Sequence, residues 1–132
     1  MIMTQEEKDL LLKDIFGRIP YGVKCSYLDI EFNNTTHGNL EGFEYDDDKD
    51  IVFIIDGIGI YSEHIKPYLF PVSSMTGEQR KEYVQITAKC GNIASSQLTG
   101  MTIQDWFDKN HIDYRGLIPR GLAKDATGLN IY

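Results

Sequence analysis

The stretch that most narrows what this chain can become is Ile51-Val52-Phe53-Ile54-Ile55-Asp56-Gly57-Ile58-Gly59-Ile60-Tyr61. Asp-Gly between two apolar runs is a strong hairpin signal, because a type I′ turn needs positive φ at both central residues. The five continuous apolar residues before the turn fit a central strand covered on both faces. Strand-like sequence flanks this hairpin. Val23 to Phe32 alternates imperfectly, and Ile30 and Phe32 switch parity, which predicts a bulge near Leu28. Asn33 to Asn39 reads as a polar loop, and Leu40 to Tyr45 as a short strand with Leu40, Gly42 and Glu44 on one face. Asp46-Asp47-Asp48-Lys49-Asp50 is a turn too charged to bury. Glu63 to Pro71 predicts a turn and a last short strand, broken by Pro67 and Pro71.

Helices bracket this centre. Thr4-Gln5-Glu6-Glu7 is a capping box, and Leu11, Leu12, Ile15 and Phe16 follow at helical spacing. A helix over about residues 5–16 is expected, with Gly17 as its C-terminal cap. Ser74 or Thr76 starts a second helix, Thr76 to Gln79 forming another capping box, and Cys90-Gly91-Asn92 ends it. Ile93 to Gly100 is polar and serine-rich and carries no periodic signal. Thr102 to Asp105 opens a third helix that carries Ile103, Trp106 and Phe107 to Asn110. Tyr114 to Ala123 should wrap the surface as turns anchored by Leu117, Ile118 and Leu122, and Leu129 to Tyr132 should add an edge strand. Strands in succession without interleaved helices predict an antiparallel sheet. The expected fold is therefore α+β, a single domain over 1–132: a β-meander of four or five short strands, curling into a partly open SH3-like barrel, with an N-terminal helix and two C-terminal ones.

The composition agrees with one globular domain: 132 residues, 42% hydrophobic, 11% aromatic. No run approaches the roughly 18 apolar residues of a membrane span, and the acidic start MIMTQEEKDLLLKD is unlike a signal peptide. A cytoplasmic location is expected, with Cys25 and Cys90 as free thiols. The net charge of -7 is concentrated in one segment. Asp29 to Asp56 holds nine acids and one base, while the other residues hold 11 acids and 12 bases. That field repels phosphate and favours cationic partners.

Several constellations bear on chemistry. Asp46, Asp48 and Asp50 start like a calcium loop, but the sixth position is Ile51 and the twelfth Gly57, where that loop needs Gly and Glu. His37, His64 and His111 form no paired ligand spacing, and Cys90 at a helix end has no activating charge. Gly57-Ile58-Gly59 lacks the third glycine and following helix of a dinucleotide fingerprint. No catalytic residue, metal or cofactor is assigned, and the chain reads as a non-enzyme. Two binding surfaces remain. One is acidic: Asp29, Glu31, Glu41, Glu44, Asp46, Asp47, Asp48 and Asp50. The other is the mildly basic last third, where Arg115, Arg120, Lys124 and Tyr114 could meet a nucleic acid by charge and stacking.

Three blocks carry a resemblance: LLLKDIFGRIPYGVKC (Leu10 to Cys25), HIKPYLFPVSSMTGEQRKEY (His64 to Tyr83) and DWFDKNHIDYRGLIPRGLA (Asp105 to Ala123). They resemble a family of small proteins from gut Bacteroidetes, often associated with prophages and mobile elements. Its pattern runs LPYGV, IKPYLRPMSSMT and DWLNxxHFDYRGLI around a variable β-rich middle. The present chain has Phe70 where the family commonly has Arg, so a basic side chain is not essential there. The resemblance implies context, a bacterial or phage cytosolic accessory protein, and carries over no catalytic residue. Together with the charge pattern it predicts protein–protein binding through the acidic hairpin to a host or phage protein of basic character. Nucleic-acid binding through the arginine-rich end is the alternative, and no membrane partner is expected.

Overall fold

The computed structural model describes residues 3–29, 34–89 and 102–132. Helix α1 (Gln5–Arg18) begins at the expected capping box, with the Glu7 amide donating to Thr4 Oγ1 and the Thr4 amide donating to Glu7 Oε1. A short 3-10 turn (Ile19–Tyr21) leads into strands β1 (Lys24–Asp29), β2 (Asn34–Tyr45), β3 (Ile51–Ile55) and β4 (Ile58–Tyr61). A second 3-10 turn (Ser62–His64) precedes β5 (Ile65–Pro71), and a third (Val72–Ser74) precedes helix α2 (Gly77–Lys89). Helix α3 (Ile103–Lys109) is followed by two-residue strands β6 (Ile112–Asp113) and β7 (Lys124–Asp125).

The strands lie in the order β4-β3-β2-β1-β5-β6, with β7 on β5. β1 to β4 form the expected antiparallel meander, and β5 returns to lie antiparallel beside β1. β6 and β7 extend β5 in parallel. The fold is α+β as anticipated, but the sheet stays open, and no strand pairing closes it into an SH3-like barrel among the described residues.

The core forms between α1 and one face of the sheet. Leu11 and Ile15 of α1 are fully buried with Cys25, Phe53, Ile55, Leu69 and Leu117. Phe16 meets Phe43 edge-on at 4.9 Å and Phe53 at 5.9 Å between ring centroids. Fully burying one such side chain contributes roughly 1.5–3 kcal/mol, so this face alone accounts for the amphipathic spacing of α1. Leu117 and Leu122 are the buried anchors of the wrapping segment, as its spacing suggested.

The structure departs from local expectation at five points. The polar residues Asn34 to Asn39 form the first half of β2, because each pairs with one residue of Lys24–Asp29. That register is unbroken, so the predicted bulge near Leu28 is absent; Ile30 and Phe32 lie outside the described residues. The irregularity sits in β2 between Leu40 and Gly42. It turns Leu40 to the face of Phe43 and Phe53 and leaves Gly42 and Glu44 on the other. Gly17 is not a cap: α1 continues to Arg18, and a Cβ at Gly17 would lie 2.9 Å from Asp108 Oδ2. The glycine with positive φ here is Gly22, at 72°, which ends the following 3-10 turn. Finally, Leu129 to Tyr132 forms no strand.

Candidate functional site

Charge is handled in two opposite ways in this molecule, buried and neutralised at one end of α1 and exposed along the β2–β4 ribbon. The buried part starts from Asp14 and Arg18, one helical turn apart on α1. Arg18 Nε and Nη2 donate to the two Asp14 oxygens at 2.9 and 3.0 Å, a bidentate pair with both side chains fully buried. Nη2 also donates to the Ile112 carbonyl at 2.7 Å. Arg115 Nη1 reaches Asp14 Oδ1 at 2.8 Å from the far end of the chain. Asp108 completes the group, with Oδ1 3.9 Å from Arg18 Nε and 4.0 Å from Arg115 Nη1.

Two guanidiniums therefore face two carboxylates with no net charge. Burial pushes the Asp108 carboxyl above its ordinary range, and the two arginines oppose that shift. The Arg115 guanidinium lies 4.4 Å from the Tyr114 ring centroid, and Tyr114 stacks on Phe107 at 4.9 Å. Tyr83, Trp106 and Phe107 continue this aromatic layer, and Trp106 Nε1 donates to Glu82 at 2.9 Å. Asp113 accepts the Leu117 and Ile118 amides at 2.8 and 2.9 Å. The block DWFDKNHIDYRGLI is thus spent on tying α3 and its following turn to α1. Its chemistry is fastening.

This placement bears directly on the basic candidate surface. Arg115 and Tyr114 belong to the buried cluster, leaving Arg120 and Lys124 as the exposed cations of that set. They stand in adjoining clefts that share Glu63 and Lys66. Arg120 lines a cleft of about 350 Å³ with Glu7, Glu63 and Lys66, and Lys124 lines a neighbouring one of about 200 Å³ with His64 and Lys66.

The acidic candidates lie on the ribbon. Glu41, Glu44, Asp47, Asp48 and Asp50 are exposed, and Asp46 is half-buried. Asp46 is the organiser of the turn: Oδ1 accepts the Asp48 and Asp50 amides at 3.0 and 2.9 Å, and Oδ2 accepts the Tyr61 hydroxyl at 2.7 Å. The Tyr61 bond is the main reason its carboxyl lies below the usual range. Lys49 sits in the left-handed region (φ 66°) and closes the turn. The backbone of Asp29 ends β1, and Glu31 lies outside the described residues. At the opposite end of β3, Asp56 and Gly57 have φ of 49° and 82°, the two positive values that a type I′ turn requires.

The signal missed in sequence is apolar. Phe43 (43% exposed), Tyr45 (63%), Ile58 (45%) and Tyr61 (42%) stand on the same ribbon as the acids. Register assigns them to two faces: Phe43, Tyr45 and Ile58 share the face of Phe53, whereas Tyr61 shares the other with Glu44 and Val52. Alternation with charged neighbours could have revealed them: Phe43 also packs on Phe16, but Tyr45 and Tyr61 lie outside the core cluster.

Other reactive groups are dispersed. Cys25 is fully buried, and burial pushes its thiol up to about 12. Cys90 and the stretch Ile93 to Gly100 lie outside the described residues. His37 is exposed on β2, His64 sits 3.8 Å from Glu63, and His111 stacks on Tyr132 with ring centroids 3.8 Å apart. Among the described residues no three His, Cys, Asp or Glu side chains gather where they could hold a metal ion, and no helix is long and apolar enough to cross a membrane. Comparison with protein-family models, curated proteins and solved structures finds no match for this chain.

Proposed function

We propose that this chain is a non-enzymatic accessory protein of phage or mobile-element type, binding a basic protein partner through the β2–β4 ribbon. The observation that carries this reading is the coincidence of exposed Phe43, Tyr45 and Tyr61 with Glu41, Glu44, Asp47, Asp48 and Asp50 on one ribbon. Carboxylates at such a surface steer encounter with a cationic partner and set salt dependence. Tyrosine and phenylalanine supply the contact area that holds a complex once formed, as they do at binding hot spots. The neutral cluster around Arg18 is buried and offers no such surface.

The test is affinity capture of a partner from host lysate at low and moderate salt. Glu44, Asp47, Asp48 and Asp50 are changed together to Lys, while Asp46 is kept because it holds the turn. Salt-sensitive partners of the parent protein are expected to disappear with the reversed variant. Tyr45→Ala should weaken the same partners at every salt concentration. Retention of all captured partners by the reversed variant would remove the acidic ribbon from the mechanism.

A further inference from the structure

We infer that the partner docks on this ribbon by adding a strand to the outer edge of β4, as an extended segment with alternating cationic side chains. The inference rests on the reading of the ribbon as a docking surface and specifies its geometry. β4 is the terminal strand of the sheet, and among the described residues no strand pairs with its outer side. The two-residue turn makes Ile55 and Ile58 a hydrogen-bonded pair, and the pairing alternates from there. Ile54 with Gly59 and Val52 with Tyr61 are then the non-bonded pairs. Gly59 therefore aims its N–H and C=O away from β3 and Tyr61 its N–H, three backbone groups open to a partner strand, while the Tyr61 C=O, at the N-cap of the 3-10 turn Ser62–His64, accepts the first bond of that turn.

Exposed edges are usually guarded by charge, proline or a bulge. β4 is short, at four residues, but carries no charge, proline or bulge: its sequence is Ile58-Gly59-Ile60-Tyr61, and its register with β3 is unbroken. The β5 margin differs, since Pro67 and Pro71 lie in it and β6 and β7 extend it. Addition of an extended peptide to such an edge is a recurrent recognition mode, with backbone bonds giving affinity and alternate side chains giving selectivity.

Charge identifies the occupant. Asp56 precedes β4, Glu63 follows it, and Asp46 brings the acidic turn onto the Tyr61 hydroxyl. Two copies of this edge would set like charges against each other, whereas a cationic strand is attracted along its whole length.

The experiment uses the full chain labelled with nitrogen-15 and an alternating lysine–valine hexapeptide, titrated at low salt and followed by amide chemical shifts. Shifts are expected to centre on Gly59 and Tyr61. The same peptide N-methylated at every amide keeps its charge but has no N–H to donate, and it should bind at least tenfold more weakly. Tyr61 has φ -72°, which proline adopts, so Tyr61→Pro removes one outward N–H without opposing the backbone. This variant should also lose at least tenfold, while Tyr61→Thr stays within threefold of Tyr61→Ala. Equal binding of the N-methylated peptide, on a ribbon that still loses binding on charge reversal, would overturn strand addition and leave charge-driven docking standing. Absence of binding, or shifts confined to residues 46–50, would overturn it too. So would a concentration-dependent dimer whose interface maps to β4, because the occupant would then be a second copy.

Discussion

His111 shows how one side chain can be committed by its surroundings. Its backbone is left-handed (φ 59°), its ring lies 13° from parallel with Tyr132, and its Nδ1 is buried without a hydrogen-bond partner. A proton on Nδ1 has neither water nor an acceptor there. Burial, with a smaller contribution from Arg18, lowers its pKa from 6.5 to about 4. The unfolded chain then takes up the proton first as pH falls, so the stabilisation from the neutral ring is complete above about pH 6.5 and is lost as pH approaches 4. Urea midpoints should therefore decline across this interval. His111→Asn tolerates the left-handed backbone and removes the titration, so its decline should be shallower, the carboxylates common to both proteins cancelling in the comparison. Identical pH slopes would show that His111 titrates in the folded protein as it does in the unfolded chain.

Between elements, the decisive joint is α1 to α3. Asp14 binds two arginines that arrive from its own helix and from 101 residues away. Asp14→Asn keeps the shape but leaves two buried guanidiniums facing the single Asp108 carboxylate, and breaking a buried pair in this way costs about 3–5 kcal/mol. The measurement is urea unfolding followed by Trp106 fluorescence, which reports on α3 because that ring, the only tryptophan, is 3% exposed. A loss below about 1 kcal/mol, the scale of an exposed pair, would mean that the joint is carried by packing alone. The same comparison explains what could be read in advance. Capping boxes at Thr4 and Thr76 and the Asp56-Gly57 turn are local, set within four residues, and the structure has all three. Thr102 with Asp105 belongs with them. The Asp14–Arg115 bond, the strand made by Asn34 to Asn39 and the true use of Gly17 depend on residues far away in sequence. Composition at those positions points to loop and cap, and only tertiary pairing decides otherwise.

Across the whole molecule, the pairing of the open sheet is completed unevenly. At the β4 end no strand among the described residues pairs with the backbone edge, whereas between β1 and β5 a tyrosine completes the pairing. The Lys24 amide donates to the Tyr132 hydroxyl at 2.9 Å, and that hydroxyl donates to the Tyr68 carbonyl at 2.8 Å. It stands where the next bond of the β1–β5 ladder would form, beyond the Cys25–Pro67 pair. Burial pushes the phenol above its ordinary range, so it keeps the proton it donates. No sequence pattern signals this, because a hydroxyl inserted between two strands leaves no periodicity. Tyr132→Phe keeps the ring against His111 and Phe70 but removes both bonds. Water can reach the freed groups, so the loss of stability should be about 1 kcal/mol, near the net value of an ordinary hydrogen bond. Hydrogen exchange gives the sharper reading: the Lys24 amide should exchange markedly faster in Tyr132→Phe, while amides of β3, far across the sheet, keep their protection. Unchanged protection at Lys24 would mean that water or another group already serves that amide, and that the sheet is completed there without the tyrosine.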